Sequence, residues 1–219
     1  MGSYKNLKEE QSLFLEQLKE SEYLSSLFYF TGGTLLSSLY LHHRESEDLD
    51  FFAEKKYDKQ AVYTIVEEIS KKLKFKVSSQ FIEVVYRFQL ESPKGQLLKV
   101  DFSYYPFNAI EKREKIDDIY VDSKIDIAVN KLLVISQRSE VKDFVDLYFL
   151  LKSYSIWDLV TGLKQKFNGD PDPLLIASDM TKVQDFTSLP IMLKPLSLTE
   201  LKKFFFNEAK KLGLTSVGS

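Results

Sequence analysis

Two aspartates stand inside a segment that otherwise reads as a buried strand. In "DLDFF", residues 48–52, Asp48 and Asp50 flank Leu49, and two phenylalanines follow. Side chains two apart on a strand share a face, about 6.6 Å apart along the chain. Both carboxylates therefore project to one side, and Leu49 and Phe51 to the other. Like charges side by side are unfavourable unless a cation, a proton or a basic residue offsets them. Such a strand has one dry face and one face that must meet positive charge, which fixes how it can sit in a sheet.

What precedes the strand adds to this. The chain has only eight glycines, yet Gly32 and Gly33 stand together at the end of the apolar stretch "LFYFTGG". In "TLLSSLYLHH", Leu35, Leu36, Leu39 and Tyr40 recur at helical spacing and would bury one face. Missing side chains at Gly32-Gly33 let a ligand approach the backbone. The first turn of the helix beginning near Thr34 presents unpaired N–H groups and a positive dipole end, a geometry that suits phosphate. Taken singly, a DxD is a solvated strand-edge pair and a Gly-Gly a tight turn. In the order strand, glycines, helix, DxD strand they make one unit, suited to a metal–triphosphate because hard divalent cations prefer carboxylate oxygens.

The rest of the chain reads as follows. Residues 4–27 carry a loose amphipathic helical pattern, and "DKQAVYTIVEEISKKLKF" a stronger one through Val62, Ile65, Val66, Ile69 and Leu73. Ile82, Val84, Tyr86, Phe88 and Leu90 alternate with Glu83, Arg87 and Gln89, the period of a half-buried strand over 82–90. "SPKGQ" supplies a turn, and "LLKVDFSYY" returns with Lys99, Asp101 and Ser103 on one face. Asp101 becomes a third carboxylate if this strand neighbours "DLDFF". Beyond about residue 120 the periodicity is helical, with two helices joined near Ser139, proline-marked loops at "DPDPLL" and "LPIMLKP", and a final helix at "SLTELKKFFFNEAKKL". The expected organisation is an α/β domain over 1–120 and a helical domain over 121–219, with the boundary near 115–122.

A formal charge of −2 gives no general attraction for nucleic acid, so such contact requires a local patch, for which "KKLKFK" (71–76) and "KREK" (112–115) are candidates. The absence of cysteine excludes thiolate metal sites and a cysteine nucleophile, and fits a cytoplasmic protein. No apolar run reaches the roughly 18 residues of a membrane span.

The order of these motifs resembles the nucleotidyltransferase superfamily, whose signature is a glycine pair, a short helix, a DxD strand and a later third carboxylate. More closely, "GGTLLSSLYLHHRESEDLDFF" is similar to the AbiEii/AbiGii toxin family, and the resemblance continues through "KVDF", "DIAVNKLLVISQR" and "KDFVDLYFLL". It implies an α+β fold, a nucleotidyltransferase-like mixed sheet flanked by helices and followed by a helical C-terminal domain. It implies catalytic, metal-binding roles for Asp48, Asp50 and Asp101. Nucleotide-binding roles fall to Gly32, Gly33, Thr34, Arg44, Lys131, Lys142 and Asp143. The cofactor would be Mg²⁺ or Mn²⁺, with a nucleoside triphosphate as substrate. Lys131 and Arg138, seven apart, would share a helix face and reach the triphosphate; Lys142 could pair with Asp146 four residues on. His43-Arg44 would order the loop or bind an anion.

The reaction so implied moves a nucleoside monophosphate to an acceptor, with RNA, including tRNA, as the reasonable class. The setting would be the toxin half of a bacterial toxin–antitoxin or phage-defence pair with a separate antitoxin. Two alternatives use the same residues: transfer to a small antibiotic-type molecule, and an inactive relative that binds a nucleotide or partner.

Overall fold

A computed structural model of the protein describes residues 4–217. The chain forms two compact units. The first takes everything up to His42, then Ser46–Asn108 and Lys112–Asp122; the second takes His43–Glu45, Ala109–Glu111 and the chain from Ser123 onward.

The first unit contains α1 (Glu9–Leu18), α2 (Glu22–Leu27), β1 (Tyr29–Thr31), α3 (Gly32–Leu35), β2 (Asp48–Ala53), α4 (Lys59–Leu73), β3 (Lys76–Ile82), β4 (Val85–Glu91), β5 (Leu97–Tyr104), β6 (Glu114–Ile116) and β7 (Ile119–Val121). The strands form one mixed sheet in the order β3-β4-β5-β2-β1-β7-β6. The single helix expected over 4–27 is two, because Ser21 interrupts it and accepts a hydrogen bond from the Leu24 N–H as the cap of α2. The helix after the glycine pair continues beyond α3 as a π-helical segment, Leu36–Leu41, closed by His42 in the left-handed region at φ +50°.

The strand expected over 82–90 is a correction. Glu83, at φ +54°, turns the chain, so that Ile82 pairs with Val85 and β3 runs back along β4. β3 lies at the sheet edge and is almost wholly exposed, so "KVSSQFI" carries no apolar alternation to betray it.

Cross-strand register gives this sheet two distinct faces. Phe30, Phe51 and Phe102 stand side by side on β1, β2 and β5, fully buried, with ring centroids 5.3 Å apart at each step. That row is dry. The next residues along the same strands point the other way, and they are Thr31, Asp50 and Asp101.

The second unit is helical: α5 (Lys124–Gln137), α6 (Val141–Leu150), α7 (Ile156–Phe167), α8 (Pro173–Met180), a 3-10 turn (Thr181–Asp185) and α9 (Leu198–Val217). "DPDPLL", expected as loop, instead opens α8, with Pro173 in the first turn where its missing N–H costs nothing. Phe144 of α6 packs edge-on against Phe205 of α9 and Phe186 at 5.1 Å each. Segment 43–45 joins this unit through the Arg44–Met192 bridge and the Glu45 N–H donating to the Ile191 carbonyl. Among the described residues no helix is long and apolar enough to cross a membrane.

Candidate active site

The carboxylates of the first unit come together through register. β2 and β5 are parallel neighbours, with Asp50 opposite Asp101 and Asp48 opposite Lys99. In-register residues of adjacent strands share a face, so the three aspartates occupy two consecutive levels of one sheet surface. Antiparallel β4 sets Arg87 beside Asp101, and β1 sets Thr31 beside Asp50. The polar row thus reads Arg87, Asp101, Asp50, Thr31 across four strands.

Each of the outer carboxylates is met by a cation from this surface. The Arg87 guanidinium donates to both Asp101 oxygens, Nη2 to Oδ2 at 2.8 Å and Nε to Oδ1 at 3.0 Å. The Lys99 ammonium donates to Asp48 Oδ2 at 2.7 Å. Both cations are about one third exposed, as is Asp48. Asp101 is the deeper carboxylate at 6% exposure.

Gly32 belongs to this surface for a steric reason. Its φ is +77°, and a Cβ built there would overlap the Asp50 carboxylate. The first glycine of the pair is thus required by the aspartate that lies against it. Gly33 follows half-buried in the first turn of α3. Thr34 is buried, and its hydroxyl donates to the Asp48 carbonyl and shares a hydrogen bond of 2.9 Å with the Ser46 hydroxyl. That hydroxyl ties the start of the helix to the start of β2. Gln11 of α1 fixes the intervening loop by donating to the Ser46 and Glu47 carbonyls.

As the side chains stand, no cluster of three or more His, Cys, Asp or Glu groups arranged for a metal occurs among the described residues. Asp101 and Asp48 turn instead toward Arg87 and Lys99. The donor set nonetheless has the chemistry a hard divalent cation prefers: three carboxylates on one face, two of them paired with partly exposed side-chain cations.

The second unit gathers Arg44, Lys131 and Asp143 with His43 and Asp146. Asp146, fully buried, accepts from His43 Nε2 at 2.7 Å, Arg44 Nε at 2.6 Å and Arg44 Nη2 at 2.9 Å, and pairs with Lys131 Nζ at 2.6 Å. Lys131 also donates to Asp143 at 2.7 Å, and Arg138 donates to both Asp143 oxygens. Burial alone would push the Asp146 carboxyl up, but Lys131 and Arg44 hold it well below the usual carboxylate range. Burial likewise opposes the charge on Lys131, and Asp146 with Asp143 raises its affinity for the proton above the ordinary value. His43 goes the other way. Burial lowers its pKa despite the Asp146 bond, so the ring is neutral and donates from Nε2.

Lys131 and Arg138 therefore meet at Asp143. Lys142 does not pair with Asp146: it lies on the exposed side of α6 with Glu140 at 3.0 Å, while Asp146 is buried and saturated from other elements. The residues that sequence reasoning did not single out are the counter-cations Arg87 and Lys99, and Asp146 as the hub. Their signal was faint. Arg87 was visible only as a polar-face residue of its strand, and Asp146 only as a face-mate of Asp143.

A glycine pair followed by in-register carboxylates on a mixed sheet, with helices at its flank, is the nucleotidyltransferase-like architecture. Two Helicobacter pylori crystal structures share this fold. JHP933 matches with TM-score 0.56 and 23% identity over 97% of both chains. A second, assigned provisionally to the nucleotidyltransferases, matches with TM-score 0.60 and 21% identity over 97% of this chain and 98% of the other. A protein of Aquifex aeolicus (strain VF5) without assigned function is 35% identical over 162 residues, 71% of each chain. The family model for the nucleotidyl transferase AbiEii toxin of type IV toxin–antitoxin systems matches residues 13–213, and the chain belongs to that family. It is a nucleotidyltransferase by that membership.

Proposed function

We propose that the chain transfers a nucleoside monophosphate from a nucleoside triphosphate to an acceptor hydroxyl on RNA, with tRNA as a candidate, in a divalent-metal-dependent reaction. The observation that supports this reading is the parallel register of β2 and β5, which sets Asp101 directly beside Asp50. Asp48, Asp50 and Asp101 would hold Mg²⁺ or Mn²⁺. A cation bound there supplies charge stabilisation at the α-phosphate and at the leaving pyrophosphate.

The chain's own residues do the rest. Asp101, beside a bound acceptor, would take its proton as general base. The backbone N–H groups of Gly32, Gly33 and Thr34 would hold phosphate oxygens. Within the helical unit, Lys142 offers an exposed ammonium to the nucleotide. Arg44, Lys131 and Asp143 would serve nucleotide binding indirectly, as the enclosed ion cluster that fixes the helices of this unit. We assign the reaction to the toxin half of a toxin–antitoxin pair acting in the cytoplasm in phage defence, with a separately encoded antitoxin.

The test is incubation with each labelled triphosphate, Mg²⁺ and total RNA. Label should appear on RNA, and Asp48→Asn should lower transfer by about 100-fold or more while leaving the fold intact. Label carried only to a small molecule overturns the RNA acceptor, and undiminished transfer in the variant overturns the metal site.

A further inference from the structure

The two cations of the sheet surface stand at a border. Arg87 has Asp101 in register on one side and Gln80 of the edge strand β3 on the other. Lys99 repeats the arrangement one level along, between Asp48 of β2 and Gln89 of β4. In-register residues of adjacent strands share a face, so each cation lies between a carboxylate and a neutral, exposed amide. Glu91, further along the same face, is already met by Lys76 at 3.5 Å. Neither Arg87 nor Lys99 has a second carboxylate as its in-register neighbour.

The pairing is specific at the level of atoms. Arg87 covers both oxygens of Asp101: Nε lies 3.0 Å from Oδ1 and 3.2 Å from Oδ2, and Nη2 lies 2.8 Å from Oδ2. Lys99 takes one oxygen of Asp48, at 2.7 Å. A divalent cation held by these aspartates would draw on the same oxygens, and it repels a side-chain cation at close range. Metal and side chain therefore compete.

Solvent decides how firmly the side chains hold. The Arg87 and Lys99 side chains are 35% and 29% exposed, and pairs at the edge of water are held by little net free energy. Lys131 is the contrast, 9% exposed and set against two fully buried carboxylates. A cation displaced from Asp101 or Asp48 is left beside a glutamine and needs a new anion. A triphosphate brings several anionic oxygens, and guanidinium and ammonium groups bind them through charge-assisted hydrogen bonds.

We propose that Arg87 and Lys99 are placeholder cations, which keep Asp101 and Asp48 paired until a divalent cation takes those oxygens and then pass to the phosphates of the triphosphate. The inference rests on the metal-site reading above and adds the residues that couple metal to nucleotide. The metal alone binds weakly, and metal and triphosphate each tighten the other by the same factor, as linkage requires.

The test measures Mn²⁺ binding to the intact chain by electron paramagnetic resonance, without nucleotide. Arg87→Gln should tighten it about tenfold, the worth of one unit charge removed a few ångströms from a dication. Lys99→Gln, which frees a single oxygen of a more exposed carboxylate, should tighten it about threefold. Arg87→Lys keeps the charge and should stay nearer the parent chain. At saturating Mn²⁺ the sign reverses. Arg87→Gln should then weaken binding of the α,β-methylene analogues of the nucleoside triphosphates about fivefold, for one lost charge-assisted hydrogen bond. A purely structural role for Arg87 would not move the two affinities in opposite directions.

Mn²⁺ affinity that is unchanged or weakened in both glutamine variants overturns the placeholder role. Tighter Mn²⁺ with unaltered analogue binding overturns the passage to phosphate. Asp48→Asn separates this inference from the reading beneath it. Mn²⁺ binding lost in Asp48→Asn but indifferent to Arg87→Gln and Lys99→Gln keeps the metal site and overturns the placeholders. Mn²⁺ binding that Asp48→Asn leaves unchanged, or that no chain shows, overturns the metal site and the placeholders with it.

Discussion

The two units handle buried and half-buried charge in opposite ways. On the sheet, Asp48 and Asp101 each have one long cationic partner, and Lys99 and Arg87 remain about one third exposed. In the helical unit, Asp146 is entirely enclosed and takes Lys131, Arg44 and His43 together. A pair at the edge of water is held by little net free energy, since water competes for both partners. An enclosed carboxylate with several donors cannot change partners without leaving a charge uncompensated. The first arrangement is open to competition from water; the second is built to stay.

The comparison breaks most sharply at Asp146. Asp146→Ala strands Lys131 and Arg44, and chemical denaturation should show a loss of about 3–5 kcal/mol. A loss under about 1 kcal/mol would mean the cluster is as replaceable as the surface pairs. Next comes His43, one of two histidines in the chain. Its folded pKa is depressed by burial, so the unfolded chain binds the extra proton. Its contribution to stability is fully present above the ordinary histidine value near 6.5 and is lost as pH falls through the folded value. Stability should therefore decline between pH 7.5 and 5.5, by at most about 1.4 kcal/mol per pH unit. His43→Gln should flatten that part of the slope in denaturation curves. The smallest effect is expected at Lys99. Lys99→Gln should shift stability by less than about 1 kcal/mol, because its pair with Asp48 is screened by solvent. A shift as large as that at Asp146 would erase the distinction between the units.

Much of the sheet surface was legible in the chain. The alternation in "DLDFF" and "LLKVDFSYY" assigns Leu49, Phe51, Val100 and Phe102 to the dry side and the aspartates to the other, and these four residues are fully buried. Less of the periphery could be read. β3 is exposed over nearly its whole length, and β6 and β7 are three residues each, too short for any period to show. The turn at Glu83 was hidden because Ile82, Val84 and Tyr86 continue an alternation across it. At Asp146, the three-residue spacing from Asp143 gives a shared helix face, but spacing along one helix carries no measure of depth.

The sequence by itself determined which side chains each strand and helix would turn inward, because that follows from local period and the cost of wetting phenylalanine and leucine. It also determined that Gly32 and the two aspartates belong to one short unit. Only the tertiary structure decided what those carboxylates face. Asp101 is fifty-one residues beyond Asp50, and Arg87 and Lys99 reach the same surface from two further positions, so their meeting depends on the order and register of strands. Pairing across a sheet is set by the free energy of the whole packed layer, which no single segment carries. The same holds for the enclosed Asp146, whose partners come from segments 102 and 15 residues before it.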